Sequence, residues 1–343
     1  MRTIFIAVSI LISACAVAAM NLKNTKKWRA LVLEGGGDKG SYEVGVLKAF
    51  VENLPPEEVM YDVVTGVSVG SINAMGIGLH KIGEEKVAVD WMYRLWSNLN
   101  ASNIYINWPY GIIEGIFYRE GLWTNQPEFD YLSARFDDFK DHKVYRKINI
   151  NTCDFDTGEV YKYNETAPPN KIAAAVVAST SMPFAFPHAK LDNHTFVDGG
   201  SVWNIDLSGA IDRWKEIVDD EADIIIDTIL WSGAQNITRD EHKSYNTVSN
   251  YMRYKEITTF YNSLSDYEEI KRGFPKVNFR YKIVPDKPLP SGYIPLGFKR
   301  ESILGMIDIG YEDGKKAIEE GPKAGHERTT EILKKQMYYG LDL

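Results

Sequence analysis

Three short glycine-bearing segments hold the residue types that acyl-transfer chemistry uses. In Gly66-Val67-Ser68-Val69-Gly70 a serine sits between two glycines. On a tight turn from strand to helix, such a serine projects its hydroxyl into the open, and the glycines let the backbone pass without a Cβ clash. The amino end of the following helix also favours developing negative charge. The pattern occurs in plain turns as well. Here the apolar run Tyr61–Val67 before it and the helical pattern Ser71–Leu79 after it mark Ser68 as a candidate nucleophile. The second segment is Gly35-Gly36-Gly37-Asp38-Lys39-Gly40. Consecutive glycines can aim backbone N–H groups at one point, as an oxyanion hole requires; one lost donor costs about 3–4 kcal/mol of transition-state stabilisation. Lys39 adds positive charge nearby. The same glycines, Gly35, Gly37 and Gly40, also satisfy the dinucleotide fingerprint G-x-G-x-x-G, with Glu57, Glu58 or Asp62 as candidate ribose contacts. Both readings stand at this point, beside that of a glycine-rich turn. A P-loop is excluded, because Gly40 and not Ser or Thr follows Lys39. The third segment, Asp198-Gly199-Gly200, is either a turn or a positioned carboxylate.

Each segment follows a predicted strand, where open α/β sheets place their ligands. Those strands are Trp28–Glu34, Tyr61–Val67 and Thr195–Val197. The spacing predicts a helix over Gly40–Asn53, with Tyr42, Val46, Ala49 and Phe50 on one face and Pro55-Pro56 beyond its end. Strand-helix-strand-helix at this spacing implies parallel strands in an α/β sheet. Lys147–Cys153 and Glu159–Tyr163 read as a hairpin around Asp156-Thr157-Gly158, and Lys171–Ala178 as a helix. Further strands are predicted at Ile224–Leu230 and Val277–Val284, and helices at Tyr245–Ile270, Ser302–Glu320 and Glu327–Met337. No repeat or linker divides the chain, so one domain over residues 27–337 is expected.

An ordinary α/β-hydrolase is a poor host for this serine. Only one predicted strand precedes the strand of Ser68, and none of the six histidines occupies a strand-end motif. His326 is the one tempting third member of a triad, in a setting that looks like a helix start. A serine acting without histidine needs another base, and Asp198 is the candidate. In this combination the chain resembles the patatin-like phospholipases: a Gly-rich loop after the first strand, G-x-S-x-G after the next, and D-G-G far downstream. Ala178-Ser179-Thr180-Ser181-Met182-Pro183-Phe184 is similar to that family's A-S-x-x-x-P segment, and Asn204 after D-G-G also fits. The likeness runs from about Ala30 to Asn204. Departures are Glu34, where Asp or Ser is more familiar, Lys39, where Arg is common, and Ile205, with no Pro nearby.

The resemblance implies a three-layer α/β/α sandwich around a mainly parallel sheet. It implies a Ser68-Asp198 dyad that hydrolyses phospholipid or other acyl-lipid esters through an acyl-enzyme, with contact at a membrane or micelle surface. The N–H groups of Gly35, Gly36, Gly37 and Val69 would hold the oxyanion, and no metal or cofactor is needed. An ordinary aspartate is a weak base, so burial is expected to raise the pKa of Asp198. Asp154-Phe155-Asp156-Thr157-Gly158-Glu159 superficially resembles a calcium loop, but Glu159 stands where an EF-hand needs Gly. The alternatives are a dinucleotide-dependent oxidoreductase and a non-catalytic storage or binding glycoprotein on the same fold.

Composition bounds these readings. The chain has 343 residues, 44% hydrophobic and 25% charged, which is globular in character. A net charge of −8 without a basic block argues against nucleic-acid binding. Arg2, the apolar run Ile4–Val17 and the small residues Ala16, Ala18 and Ala19 have the order of a secretory signal peptide over residues 1–19, with a lipid anchor at Cys15 as the alternative. Cleavage would leave Cys153 alone and no intrachain disulfide. Sequons at Asn100, Asn164, Asn193 and Asn236 fit passage through a secretory route. Between Trp91 and Trp123 aromatics and isoleucines are dense, which suits either a lid or acyl-binding surface, or a packed helical layer.

Overall fold

The structure, a computed structural model, describes residues 27–139, 143–232, 246–292 and 294–338. The leader-like residues 1–19, Cys15 and the sequon at Asn236 lie outside the described residues. The first third contains β1 (Trp28–Leu33), α1 (Gly40–Asn53), β2 (Val63–Val67), α2 (Val69–Gly78), α3 (Glu85–Ser97) and α4 (Ala101–Ile104). Next come β3 (Ile106–Asn107), α5 (Gly111–Tyr118), β4 (Trp123–Thr124), α6 (Gln126–Phe136), β5 (Lys147–Asp154) and β6 (Val160–Asn164). They are followed by α7 (Pro169–Thr180), β7 (Ala189–Leu191), β8 (His194–Asp198), α8 (Leu207–Lys215) and β9 (Ile224–Ile229). The described chain ends with α9 (Thr247–Gly273), β10 (Asn278–Ile283), α10 (Arg300–Glu320) and α11 (Ala324–Tyr338).

The order β10-β9-β1-β2-β5 is parallel throughout. The sheet then turns antiparallel, with β6 and β8 both pairing β5 and β7 pairing β8. Strand β1 shows why the central strands are apolar at nearly every position. Leu31 and Leu33 enter a core with Val46 and Phe50 of α1, Ile72 and Met75 of α2, and Ile303 and Met306 of α10. Ala30 and Val32 enter a second core with Ala210, Ile211 and Trp214 of α8 and Tyr267 of α9. Alternate side chains of a strand face opposite ways, so a strand covered on both sides reads as a continuous apolar run. The result is the expected three-layer α/β/α arrangement.

Two differences from the sequence reading have physical causes. Helix α8 and strand β7 are absent from the sequence reading, although Leu207, Ala210, Ile211 and Trp214 give α8 one apolar face. The first turn of α8 is held by the buried Asp206, whose carboxylate accepts from Gly209 N (3.0 Å), Asn149 Nδ2 (3.0 Å) and Lys162 Nζ (2.8 Å). A nine-residue helix gains most of its stability from such tertiary partners. The aromatic stretch divides. Trp96 is fully buried, and Tyr105 packs on Trp123 at 4.9 Å, whereas Tyr110 and most apolar residues of α5 are exposed.

Arg146, just before β5, ties three segments together. Its guanidinium donates to Tyr61 O (2.7 Å), Glu85 Oε1 (2.8 Å) and His80 O (2.8 Å) and is fully enclosed. Removing one member of a buried ion pair strands the other's charge, at about 3–5 kcal/mol. Arg146→Met is therefore expected to lower the unfolding free energy by about that amount, as read from the urea midpoint at constant slope.

Candidate active site

Ser68 stands between β2 and α2 with φ 54° and ψ −126°. A non-glycine residue here costs roughly 1–3 kcal/mol and persists only where its surroundings hold it. The hold is visible. Ser68 N donates to Ser179 Oγ (2.9 Å), Ser71 N donates to Ser68 O (2.8 Å), and Ser71 Oγ donates to Gly66 O (2.9 Å). A Cβ on Gly66 would come within 2.2 Å of Gly70 O, so the turn closes only with glycine at that position.

Asp198 ends β8. Its Oδ2 accepts from Ser68 Oγ at 2.6 Å, and its Oδ1 accepts from Gly200 N at 2.7 Å. The two residues are 130 positions apart in the chain, and β5 brings them together. Asn151 of β5 pairs with Val67 in the parallel register, and its neighbour Thr152 pairs with Asp198 in the antiparallel one. Burial raises the pKa of Asp198 to about 6, against the lowering effect of the Ser68 hydroxyl, the Gly200 N–H and the charge of Lys255.

The glycine loop faces the same space. Gly37 adopts φ 61°, and a Cβ there would meet Pro295 O at 2.0 Å. Gly36 and Gly37 line the cavity with Ser68, and their N–H groups have no acceptor among the described residues. Val69 begins α2, where N–H groups lack intrahelical partners. Gly35 corrects an expectation. Its N–H donates to Asn204 O at 3.1 Å and is not available to an oxyanion, because the chain after Asp198 folds back against the loop. Gly35 instead lets the loop approach: a Cβ there would lie 3.0 Å from Ser68 Cβ and 2.6 Å from Asn204 Oδ1.

Glu34 is the buried anchor of this loop. Its carboxylate accepts from Trp231 N (2.9 Å), Ser232 N (3.1 Å), Ser232 Oγ (2.7 Å), Ser263 Oγ (2.8 Å) and Asn204 Nδ2 (3.1 Å), while burial raises its pKa. Those donors come from the loop between β8 and α8, from the residues just after β9 and from α9. Lys39 is buried too. Its ammonium lies 3.4 Å over the Trp231 ring and 3.6 Å from Glu256, and burial lowers its pKa. The cavity between these groups measures about 230 Å³. Its far wall is α9, which presents Tyr251, Lys255 and Thr259 at successive turns, with Met252 and Glu256 beside them.

Sequence reasoning missed Trp231, Lys255 and Glu256. The four-residue spacing of 251, 255 and 259 marks one helix face, but nothing local says what that face meets. His326 does not join the site. It is buried against Tyr267, with ring centroids 5.7 Å apart, and burial presses its pKa down to about 3. The three acidic candidates of the dinucleotide reading lie at the end of the sheet away from the glycine loop: Glu57 O accepts from Arg29 Nε (3.0 Å), Glu58 pairs with Arg280 (2.9 Å), and Asp62 accepts from Arg29 N (3.2 Å). Asp154 is engaged by His194 (2.6 Å) and by Asp156 N and Thr157 N, in the turn of the β5–β6 hairpin.

The model of the patatin-like phospholipases matches residues 31–211, more than half of the chain. The chain belongs to the patatin-like phospholipase family. It is 29% identical over 180 residues to triacylglycerol lipase 5 of Saccharomyces cerevisiae, a stretch that covers 48% of this chain and 23% of that protein. The chain thus spans less than a quarter of that relative's length. The crystal structure of VipD from Legionella pneumophila aligns with 87% of this chain and 67% of its own at a TM-score of 0.42 and 12% identity.

The burial of Asp198 sets a sign for stability. With a folded pKa of about 6 against an ordinary 3.8, folding prefers the protonated acid. That contribution is full below the ordinary value and is lost as pH rises through about 6. Above that, the ionised form is held at a cost on the order of 3 kcal/mol. Asp198→Asn is expected to unfold at higher urea than wild type at pH 8, with the gap narrowing toward pH ~4. Equal midpoints at pH 8 would contradict the assigned burial.

Proposed function

We propose that this chain is a lipid acyl hydrolase of phospholipase A or lysophospholipase type, with Ser68 as nucleophile and Asp198 as general base. The observation that carries the reading is the 2.6 Å hydrogen bond from Ser68 Oγ to Asp198 Oδ2 beside the N–H groups of Gly36 and Gly37, which have no acceptor among the described residues. Ser68 Oγ attacks the ester carbonyl carbon as its proton passes to Asp198. The tetrahedral oxyanion accepts from Gly36 N, Gly37 N and Val69 N, where the α2 dipole also favours negative charge. Collapse expels the alcohol, which takes the proton from Asp198 and leaves the acyl-serine. Water then attacks the acyl carbon, giving its proton to the same carboxylate, and the fatty acid departs with Ser68 restored. The raised pKa of Asp198 suits it to proton transfer near neutrality. Membership of the family and the lipase relative support lipid acyl hydrolysis.

A phospholipid rather than a neutral glyceride is supported by Lys255. It lines the cavity beside Asp198 and has no acidic partner among the described residues, so its ammonium can meet a head-group phosphate. The leader-like residues 1–19 and the sequons support a secreted or luminal setting.

Ser68→Ala and Asp198→Asn are each expected to lose roughly a hundredfold or more in kcat, measured as fatty acid released from lysophosphatidylcholine. A storage protein on this fold would instead leave Ser68 unlabelled by a fluorophosphonate. In wild type, kcat/KM for a soluble ester should rise with pH through a single limb at about 6, as Asp198 ionises. Lys255→Gln should cost about tenfold on lysophosphatidylcholine, the scale of a hydrogen bond to a charged group, and little on a monoacylglycerol of equal chain length. It should also move the limb upward, because a cation that favours the ionised Asp198 is gone.

A further inference from the structure

Helix α5 and the turn before it carry an apolar surface that is exposed among the described residues. Tyr110 is 85% exposed, Ile113 64%, Ile116 56%, Phe117 72% and Tyr118 81%, with Ile112 beside them. The helix is nearly all apolar between Gly111 and Tyr118, with Glu114 as its one charged residue. Glu114 is neutralised by Arg119 (2.6 Å), whose guanidinium also covers the Trp108 ring at 4.7 Å. Contiguous exposed apolar surface of this kind marks an interaction site.

The patch adjoins the cavity that holds Ser68. Trp108 Nε1 donates to Gly121 O (3.0 Å), Gly121 bridges to Phe184, and Leu122 N donates to Phe184 O (3.1 Å). Phe184 lines the cavity and is 43% exposed, and its ring lies 6.5 Å from that of Tyr251 on α9. The segment that follows α5 is thus tied directly to Phe184 at the mouth. The cavity itself, about 230 Å³, is smaller than the roughly 300–1,000 Å³ that drug-sized ligands occupy, so most of a long-chain lipid must stay outside it. An apolar phase at the mouth supplies the place for the remainder.

From this connection we infer that α5 is an interfacial anchor that seats the chain on a phospholipid bilayer of zwitterionic head groups. The inference takes its ligand from the acyl-hydrolase reading. The internally paired charge of the patch, on a chain of net charge −8, fits zwitterionic rather than anionic lipid. Tyr110 just before and Tyr118 at the end of a helix with three isoleucines and Phe117 suit the head-group level.

The test is flotation of the full chain with vesicles of dialkyl-ether phosphatidylcholine, which has no ester to cleave. Wild type is expected to float with the vesicles. The double variant Ile113→Asp, Phe117→Asp should lose about tenfold or more in partitioning, the scale of two exposed apolar side chains leaving an apolar phase. It should keep wild-type turnover of a short-chain soluble ester and lose activity on ester phosphatidylcholine vesicles by a similar factor. Equal flotation of variant and wild type, no flotation of wild type, or a dimer in gel filtration that the variant dissolves would each overturn the assignment. Wild type that floats but hydrolyses no ester would sink the acyl-hydrolase reading and leave the anchor standing.

Discussion

Strand β5 pairs along its length with a parallel neighbour and then with an antiparallel one, and the site depends on that change. Its first residues, Lys147–Asn151, run beside β2, and Thr152–Asp154 run beside β8. The last residue of β2 and the last residue of β8 therefore face adjacent positions of one strand. Backbone hydrogen bonds fix that spacing to within a residue, because a slip by one would turn every side chain to the opposite layer. Ser68 and Asp198 inherit their separation from it. The strain at Ser68 and the burial of Asp198 are tolerable because both hang from the buried ends of β2 and β8.

Glu34 performs the corresponding task for the glycine loop. A carboxylate without water must be met by donors, and five arrive from three parts of the chain. The satisfied network fixes the loop to the chain after D-G-G, to the end of β9 and to α9. It also explains why Gly35 is not a donor to an oxyanion. Asn204, in the loop after Asp198-Gly199-Gly200, claims the Gly35 N–H, and the amides of Gly36 and Gly37 are what remain without an acceptor among the described residues. The C-terminal third thus reaches the site through its donors to Glu34, through Trp231 and Pro295 in the cavity wall, and through the helix that bears Lys255.

Much of this was legible from residue types. G-x-S-x-G between a strand and a helix, the triple glycine, and Asp198 at a strand end each express a local steric or electrostatic need, and local needs leave local marks. The short apolar run that includes Ala30–Leu33 marked a strand, and the structure covers it on both faces. The contribution of α9 left no such mark. Tyr251, Lys255 and Thr259 share a face by helical period, yet period says nothing of the partner. The aromatic stretch was ambiguous for the same reason, since packed and exposed aromatics have the same composition. Tertiary contact assigned Trp96 to the core and Phe117 to the surface.

By itself the sequence determined the sharp turns, the apolar strands and the chemical groups available, because each is dictated by the sterics and polarity of residues a few positions apart. Only the tertiary structure decided which amides remain unpaired, which carboxylate loses its water and which helix closes the cavity. Those outcomes turn on hydrogen-bond competition and desolvation among segments remote in the chain, and no spacing along it encodes them.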